Sequence, residues 1–156
     1  MSELLLAIYR GDQARTDELL AANPELDVFE AAALGRTDRL RELLDEDPDL
    51  ANAWAEDGFQ ALGLASFFGH VEAARLLVER GAEVNSASRN DMKVMPLHSA
   101  AATGDHDTRY ELAKLLLEHG ADPNARQQDD YTPLMAADQH GDERLRELLV
   151  ENGASE

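Results

Sequence analysis

Alanine-rich segments and leucine pairs alternate along the chain at a nearly constant distance. Each alanine-rich segment ends at a glycine, and the glycines at positions 35, 69, 104 and 141 are spaced by 34, 35 and 37 residues. A polar residue follows each glycine, and the next stretch ends in paired leucines at 43–44, 76–77, 115–116 and 148–149. A pattern that recurs at such a period predicts an array of repeated helix pairs.

Local insertions account for the departures from a period of 33 residues. The stretch 104–120 is four residues longer than 69–81, which we attribute to an insertion of about His106–Arg109 between two helices. Two smaller insertions, of two residues within 85–97 and one within 47–52, explain the remaining differences. Since every deviation has a defined place, we interpret the period as structural.

The amino-acid sequence of the repeats resembles that of the ankyrin family. The segment 69–85 reads GHVEAARLLVERGAEVN, and the segment 115–124 reads LLLEHGADPN. Pro96-Leu97-His98-Ser99-Ala100-Ala101 and Tyr131-Thr132-Pro133-Leu134-Met135-Ala136-Ala137 are similar to the opening of the family's first helix. The chain as a whole resembles bacterial ankyrin-repeat proteins of unknown function.

The resemblance implies an all-α solenoid of stacked antiparallel helix pairs joined by β-turn fingers. We expect a single ankyrin-repeat domain over 1–156. It begins with an irregular leading helix pair at 3–26. The list of expected repeats is about 27–57, 58–90, 91–128 and 129–154.

Local sequence signals agree with this architecture. Thr132-Pro133 is a favourable helix start, with the hydroxyl as N-cap and proline at the first helical position. Asp57-Gly58 is typical of a turn at a finger tip. Leucines at 62, 97 and 134 are expected to anchor each inner helix in the core. Only 24 residues separate the glycines at 11 and 35, so we expect 24–27 to link two helices without a finger.

In this family, finger tips and exposed inner-helix positions form a concave face that contacts partners. Alignment by residue transfers that role to Trp54, Glu56, Asp57, Phe59, Phe67, Phe68, Arg89, Met92, Lys93, Thr103, Arg126, Tyr131, Gln139 and His140. Five of these are aromatic, a residue class enriched at interface anchors. The alternative is that Phe59 and Phe67 only cover neighbouring leucines.

Composition narrows the possible partners. The chain carries 32 acidic residues against 14 Lys and Arg, a net charge of −18. Such a surface repels nucleic acid and anionic membranes, and it favours a soluble monomer. The first residues have no basic region and only a five-residue apolar run, so we expect no signal peptide or membrane helix and predict a cytoplasmic protein.

The sequence offers no pattern for catalysis, metal binding or a cofactor. There are no cysteines, and the five histidines form no i, i+4 pair. His98 and Ser99 are neighbours on a predicted helix and point in different directions. We therefore predict no enzyme activity, no metal and no cofactor.

Three functional hypotheses follow, in order of preference. The first is a scaffold that binds a protein or peptide through the concave face. The second is an acidic inhibitor or immunity-type regulator that covers a basic site. The third is a small-ligand binder or enzyme with a pocket near His98 and His106.

Overall fold

The computed structural model describes residues 1–155, so the last residue of the predicted domain lies outside them. The described chain forms ten α-helices, namely α1 Glu3–Tyr9, α2 Gln13–Ala21, α3 Val28–Leu34, α4 Thr37–Glu46, α5 Ala61–Phe67, α6 Val71–Glu79, α7 Pro96–Ala102, α8 His106–Glu118, α9 Pro133–His140 and α10 Glu143–Glu151. Two short 3-10 turns lie at Pro48–Asn52 and Gln128–Asp130.

The helices form two layers. The short odd-numbered helices α1, α3, α5, α7 and α9 pack successively against one another, and α4, α6, α8 and α10 form the second row. Alanines at 31, 32, 61, 65, 100, 101 and 137 are almost completely buried, which lets adjacent inner helices approach closely. The predicted anchors Leu62, Leu97 and Leu134 are 2%, 1% and 5% exposed, so the core prediction is confirmed.

Predicted helix starts and turns are also present. Thr132 caps α9 by accepting a hydrogen bond from the Met135 amide at 3.3 Å. In the link before α3, where no finger is formed, Asp27 and Glu30 make a reciprocal capping box. Its two bonds measure 2.8 and 3.0 Å, which fixes where the first full helix pair begins.

The four-residue insertion lies within a helix, contrary to our expectation. Asp105 caps α8, and His106–Arg109 forms its first turn, so that α8 has 13 residues where α6 has nine. Four residues are close to one helical turn of 3.6 residues, so their addition changes the facing of α8 by only about 40°. Gly104 accordingly does not adopt the positive φ that the glycines at 35, 69 and 141 adopt.

Three asparagines join successive repeats in the same way. The side chain of Asn85 donates to the Gly120 carbonyl at 2.9 Å and accepts from the Asp122 amide at 2.8 Å. Asn52 and Asn124 make the corresponding pairs of bonds one repeat before and one repeat after. Each of these asparagines therefore hydrogen-bonds one repeat to the next.

The fingers are also bonded to one another through their backbones. The Arg89 amide of the second finger donates to the Gly58 carbonyl of the first at 2.8 Å. The Gln128 amide of the third finger donates to the Met92 carbonyl of the second at 2.9 Å. The three tips therefore form one continuous edge above the inner helices.

Candidate partner-binding groove

An apolar pocket lies between the fingers and the inner helices. Its volume is about 410 Å³, within the range of roughly 300–1,000 Å³ typical of ligand sites. We call it the aromatic pocket. The side chains and backbone that line it belong to Tyr9, Phe59, Gly63, Leu64, Phe67, Phe68, Met92, Val94, His98, Ser99, Ala102, Gln127 and Tyr131.

Three aromatic rings form one wall of the aromatic pocket. Phe67, the last residue of α5, is 54% exposed, and its ring meets Phe68 edge to face at 5.0 Å. Phe68 in turn stacks on Tyr9 with ring centroids 6.2 Å apart and planes 10° from parallel. Since edge-to-face and stacked pairs are the favoured geometries, the wall is ordered before any partner arrives.

Tyr9 was not predicted as part of the site. Its hydroxyl donates a hydrogen bond to Asp57 Oδ2 at 2.7 Å, and burial together with this bond raises the pKa of Tyr9. The sequence contained a signal, since Tyr9 stands two residues before Gly11, as Phe67 stands before Gly69. In α3, which lies between α1 and α5, the residue two before the glycine is the small Ala33. The tyrosine ring can therefore reach past α3 to Phe68.

His98 lies at the base of the aromatic pocket with both ring nitrogens bonded. Nε2 donates to the Ala125 carbonyl at 2.9 Å, and Nδ1 accepts from the Met95 amide at 3.2 Å. Burial lowers the pKa of His98, which favours the neutral ring that these two bonds require. Of the two histidines near which we expected a pocket, only His98 lines this one.

The other end of the aromatic pocket is formed by the second and third fingers. Met92 is 43% exposed there, and Tyr131 donates its hydroxyl proton to Gln139 Oε1. Burial raises the pKa of Tyr131, so its hydroxyl stays protonated at neutral pH. Five predicted residues therefore meet at one pocket, namely Phe59, Phe67, Phe68, Met92 and Tyr131.

Trp54 and Arg89 do not line the aromatic pocket, and they contact each other. The Arg89 guanidinium carbon stands 4.0 Å from the centre of the Trp54 ring, a cation–π contact between the first two fingers. Trp54 also lines a separate cavity of about 230 Å³, beside Glu56, which pairs with the amino group of Met1. The residues of the predicted face thus line more than one cavity.

The remaining predicted residues differ in exposure. Lys93, Arg126 and His140 are exposed, and Arg126 lies 3.7 Å from Asp130 in a loose ion pair. Thr103 is only 8% exposed, so our expectation of an accessible side chain there is wrong. The Thr103 hydroxyl lies against Gly69, at the end of the neighbouring inner helix. A Cβ at position 69 would come within 2.9 Å of this hydroxyl.

The aromatic pocket suits the binding of an apolar group. None of its lining residues carries a formal charge at neutral pH, and its histidine and two tyrosines are already hydrogen-bonded. Residues 1–155 contain no group of three or more His, Asp or Glu arranged to hold a metal ion. No helix within this range is both long and apolar enough to cross a bilayer.

Comparisons with known proteins agree with the geometry. The family model for ankyrin repeats in three copies matches residues 4–88 and 86–156. Cortactin-binding protein 2 of Oryctolagus cuniculus is 41% identical over 71 residues, which is 46% of this chain and 4% of that protein. Human DNA-binding protein RFXANK is 35% identical over 81 residues, which is 52% of this chain and 31% of that protein.

A plant relative shows the same kind of partial match. The E3 ubiquitin-protein ligase XB3 of Oryza sativa subsp. japonica is 38% identical over 84 residues, covering 53% of this chain and 18% of the ligase. The similarity thus spans less than a third of each of these relatives. Ankyrin repeats generally mediate protein–protein interactions and are typically non-enzymatic modules. Since the family model matches nearly the whole sequence, the chain belongs to the ankyrin-repeat family.

Proposed function

We propose that this protein is an interaction scaffold whose concave face binds a protein or peptide segment. The observation that carries the proposal is Phe67, a large apolar side chain that is 54% exposed at the edge of an uncharged, aromatic-lined pocket. Burial of a phenylalanine side chain is worth roughly 1.5–3 kcal/mol, so a partner that covers this ring gains a substantial share of its affinity there.

The rigidity of the groove supports the same function. The wall rings of Tyr9, Phe67 and Phe68 already contact one another, and the finger backbones are mutually hydrogen-bonded. A partner therefore does not have to order the site, which reduces the entropic cost of association. We propose Phe59, Phe67, Phe68, Met92 and Tyr131 as contact residues, with Tyr9 added to them.

Selection from a random-peptide phage library tests the proposal. Peptides enriched on the wild-type protein are synthesised, and their dissociation constants are measured by fluorescence anisotropy. Phe67→Ala is expected to weaken binding about 30-fold, the effect of losing an interface anchor worth about 2 kcal/mol.

Val150→Ala is the matched control. Val150 is 42% exposed on α10 and does not line the aromatic pocket, so its truncation should change affinity by no more than about twofold. Circular dichroism verifies that both variants are folded. Equal losses for the two variants, or the absence of any enriched peptide, would contradict the proposal.

A further inference from the structure

The net charge of −18 limits what can occupy the aromatic pocket. A second copy of this chain would bring two strongly acidic surfaces together, which like-charge repulsion disfavours. A positively charged segment is attracted to the same surface before contact is made. Self-association therefore fits this groove less well than binding of a basic partner.

The three fingers carry an acidic surplus along the edge of the groove. The segments 53–60, 86–95 and 126–132 contain five carboxylates and three basic side chains. Two of the bases already have partners, since Arg89 lies over the Trp54 ring and Arg126 is paired with Asp130. Arg89 keeps its positive charge over the ring, so the three cations together leave these fingers with a net charge of −2.

Two of the finger carboxylates remain available. Asp91 of the second finger and Asp129 of the third are exposed, and neither has an ion-pair partner among residues 1–155. Their fingers are joined by the bond from the Gln128 amide to the Met92 carbonyl. Both carboxylates therefore belong to the pair of fingers that closes one end of the aromatic pocket, where Met92 and Tyr131 lie.

The interior of the aromatic pocket and its finger edge suit groups of different polarity. No lining residue carries a formal charge at neutral pH, so a buried lysine or arginine would find no counter-ion. Two backbone hydrogen bonds join the fingers to one another, and we assign recognition to the side chains of the edge and the pocket. The occupant should place an apolar group inside and positive charges outside.

We propose, building on the interaction function above, that the bound segment is a basic stretch of another protein. One uncharged apolar side chain enters the aromatic pocket beside Phe67. Flanking lysines or arginines meet Asp91 and Asp129 on the finger edge. Apolar burial holds the complex together, while the charges select the partner and accelerate its arrival.

The test uses the peptides that the library selection yields. Enriched peptides are expected to carry net positive charge relative to the input library. Replacing the lysines and arginines of an enriched peptide by serine should weaken binding about tenfold. Raising the ionic strength from about 0.01 M to about 0.15 M, which shortens the Debye length from ~30 Å to ~8 Å, should lower the association rate of the original peptide more than that of the serine version.

Charge variants of the protein test where the segment lies. The double variant Asp91→Asn/Asp129→Asn should weaken binding of the original peptide several-fold and leave binding of the serine version unchanged. The matched control is Glu147→Gln/Glu151→Gln, which removes two exposed carboxylates from α10 and should have a smaller effect. Equal weakening by both double variants would overturn the placement on the fingers.

Failure of this inference is separable from failure of the proposed function. Enriched peptides that depend on Phe67 but carry no net positive charge, or bind equally well with serine flanks, would overturn the basic segment alone. A selection that enriches no peptide over the bare support would overturn both.

Discussion

Arg109 donates a hydrogen bond from Nε to Asp142 Oδ2 at 3.0 Å, and each of these two side chains is 3% exposed. Arg109 also donates to the Thr103 carbonyl at 2.9 Å, while Asp142 caps α10 by accepting from the Leu145 amide at 3.1 Å. The pair exists because the inserted turn of α8 ends at Arg109. The insertion thus adds a buried ionic contact between the last two helix pairs.

Removing the cation from this pair should be costly. Arg109→Met leaves the Asp142 carboxylate buried without its guanidinium partner, and we expect the free energy of unfolding to fall by about 3–5 kcal/mol. Arg41→Met is the control, because Arg41 pairs with Asp38 at 3.1 Å on an exposed helix face and should cost no more than about 1 kcal/mol. Urea denaturation measures both, and similar losses would contradict a structural role for the buried pair.

The same pair should shape the response to acid. Burial alone would raise the pKa of Asp142, but bonds from the Leu145 amide, Arg109 and His106 together hold it below its ordinary value of 3.8. A lowered pKa in the fold means that the stabilisation is present above 3.8 and is lost as the pH falls through the folded-state value. Urea midpoints measured below pH 3.8 should therefore decline less steeply in Arg109→Met than in the wild type.

His98 should make stability depend on pH in a separate, milder range. Burial holds its pKa below the ordinary 6.5, so the unfolded chain binds the proton first as the pH falls. The contribution of His98 to the free energy of unfolding is complete above pH 6.5. It diminishes as the pH drops from 6.5 towards the pKa of His98 in the folded state. The same direction applies to His70, whose Nε2 donates to the Ala33 carbonyl at 2.9 Å.

The variant His98→Gln isolates this contribution. Above pH 6.5 it should unfold about 1–3 kcal/mol more easily, because the buried Ala125 carbonyl and Met95 amide lose a well-placed partner. Below pH 6.5 the gap to the wild type should narrow. A gap that stays constant on both sides of 6.5 would contradict the assignment of a neutral, doubly bonded ring.

Gly58, in the turn of the first finger, should tolerate replacement by alanine less well than Gly81 does. Its φ is +89°, and a Cβ there would lie 2.5 Å from the Arg89 carbonyl oxygen. Gly81 provides a matched comparison, since its φ is +94° and nothing lies within 4 Å of such a Cβ. Gly81→Ala should cost about 1 kcal/mol for backbone strain, and Gly58→Ala about 1–3 kcal/mol more for the clash between fingers.

Thermal and urea unfolding of the two glycine variants provide the measurement. The clash in Gly58→Ala should also weaken peptide binding, because it displaces the second finger, which carries Met92 and Val94. Gly81→Ala should bind normally. If both variants lose the same stability, the close approach of the two fingers is not what requires glycine at position 58.

Ser66 offers a position where the natural residue is not the most stable one. It is 0% exposed on α5, and its hydroxyl oxygen has no hydrogen-bond partner among residues 1–155. Ser66→Ala should raise the free energy of unfolding by about 1 kcal/mol, since it removes an unsatisfied group and improves helix propensity. Ser2→Ala should act in the opposite direction, because Ser2 caps α1 and donates to Glu30 at 2.8 Å.

Much of the fold was readable from local sequence patterns. The positions of the inner helices, the buried leucines, the proline-led start of α9 and the turn at Gly58 all follow from signals a few residues long. In a repeat protein each unit contacts only its neighbours, so a local pattern that recurs carries most of the topology. The resemblance to the ankyrin family, and not the periodicity, indicated the face on which the predicted contact residues would lie.

The groove itself could be predicted only in part. Five of the predicted residues line the aromatic pocket, because the architecture places fingers and inner-helix ends on one face. Tyr9 was missed, since the leading helix pair has no finger and its ring reaches Phe68 across a whole intervening helix. Trp54 and Arg89 were both predicted to contact a partner, and their contact with each other became visible only in the structure.

Spacing along the chain was enough to predict the repeat, its period and the residues that each helix buries. The structure was needed to show that Thr103 is covered and that Arg109 meets Asp142. These two outcomes depend on distances between residues of successive repeats, which are set by how tightly the repeats pack.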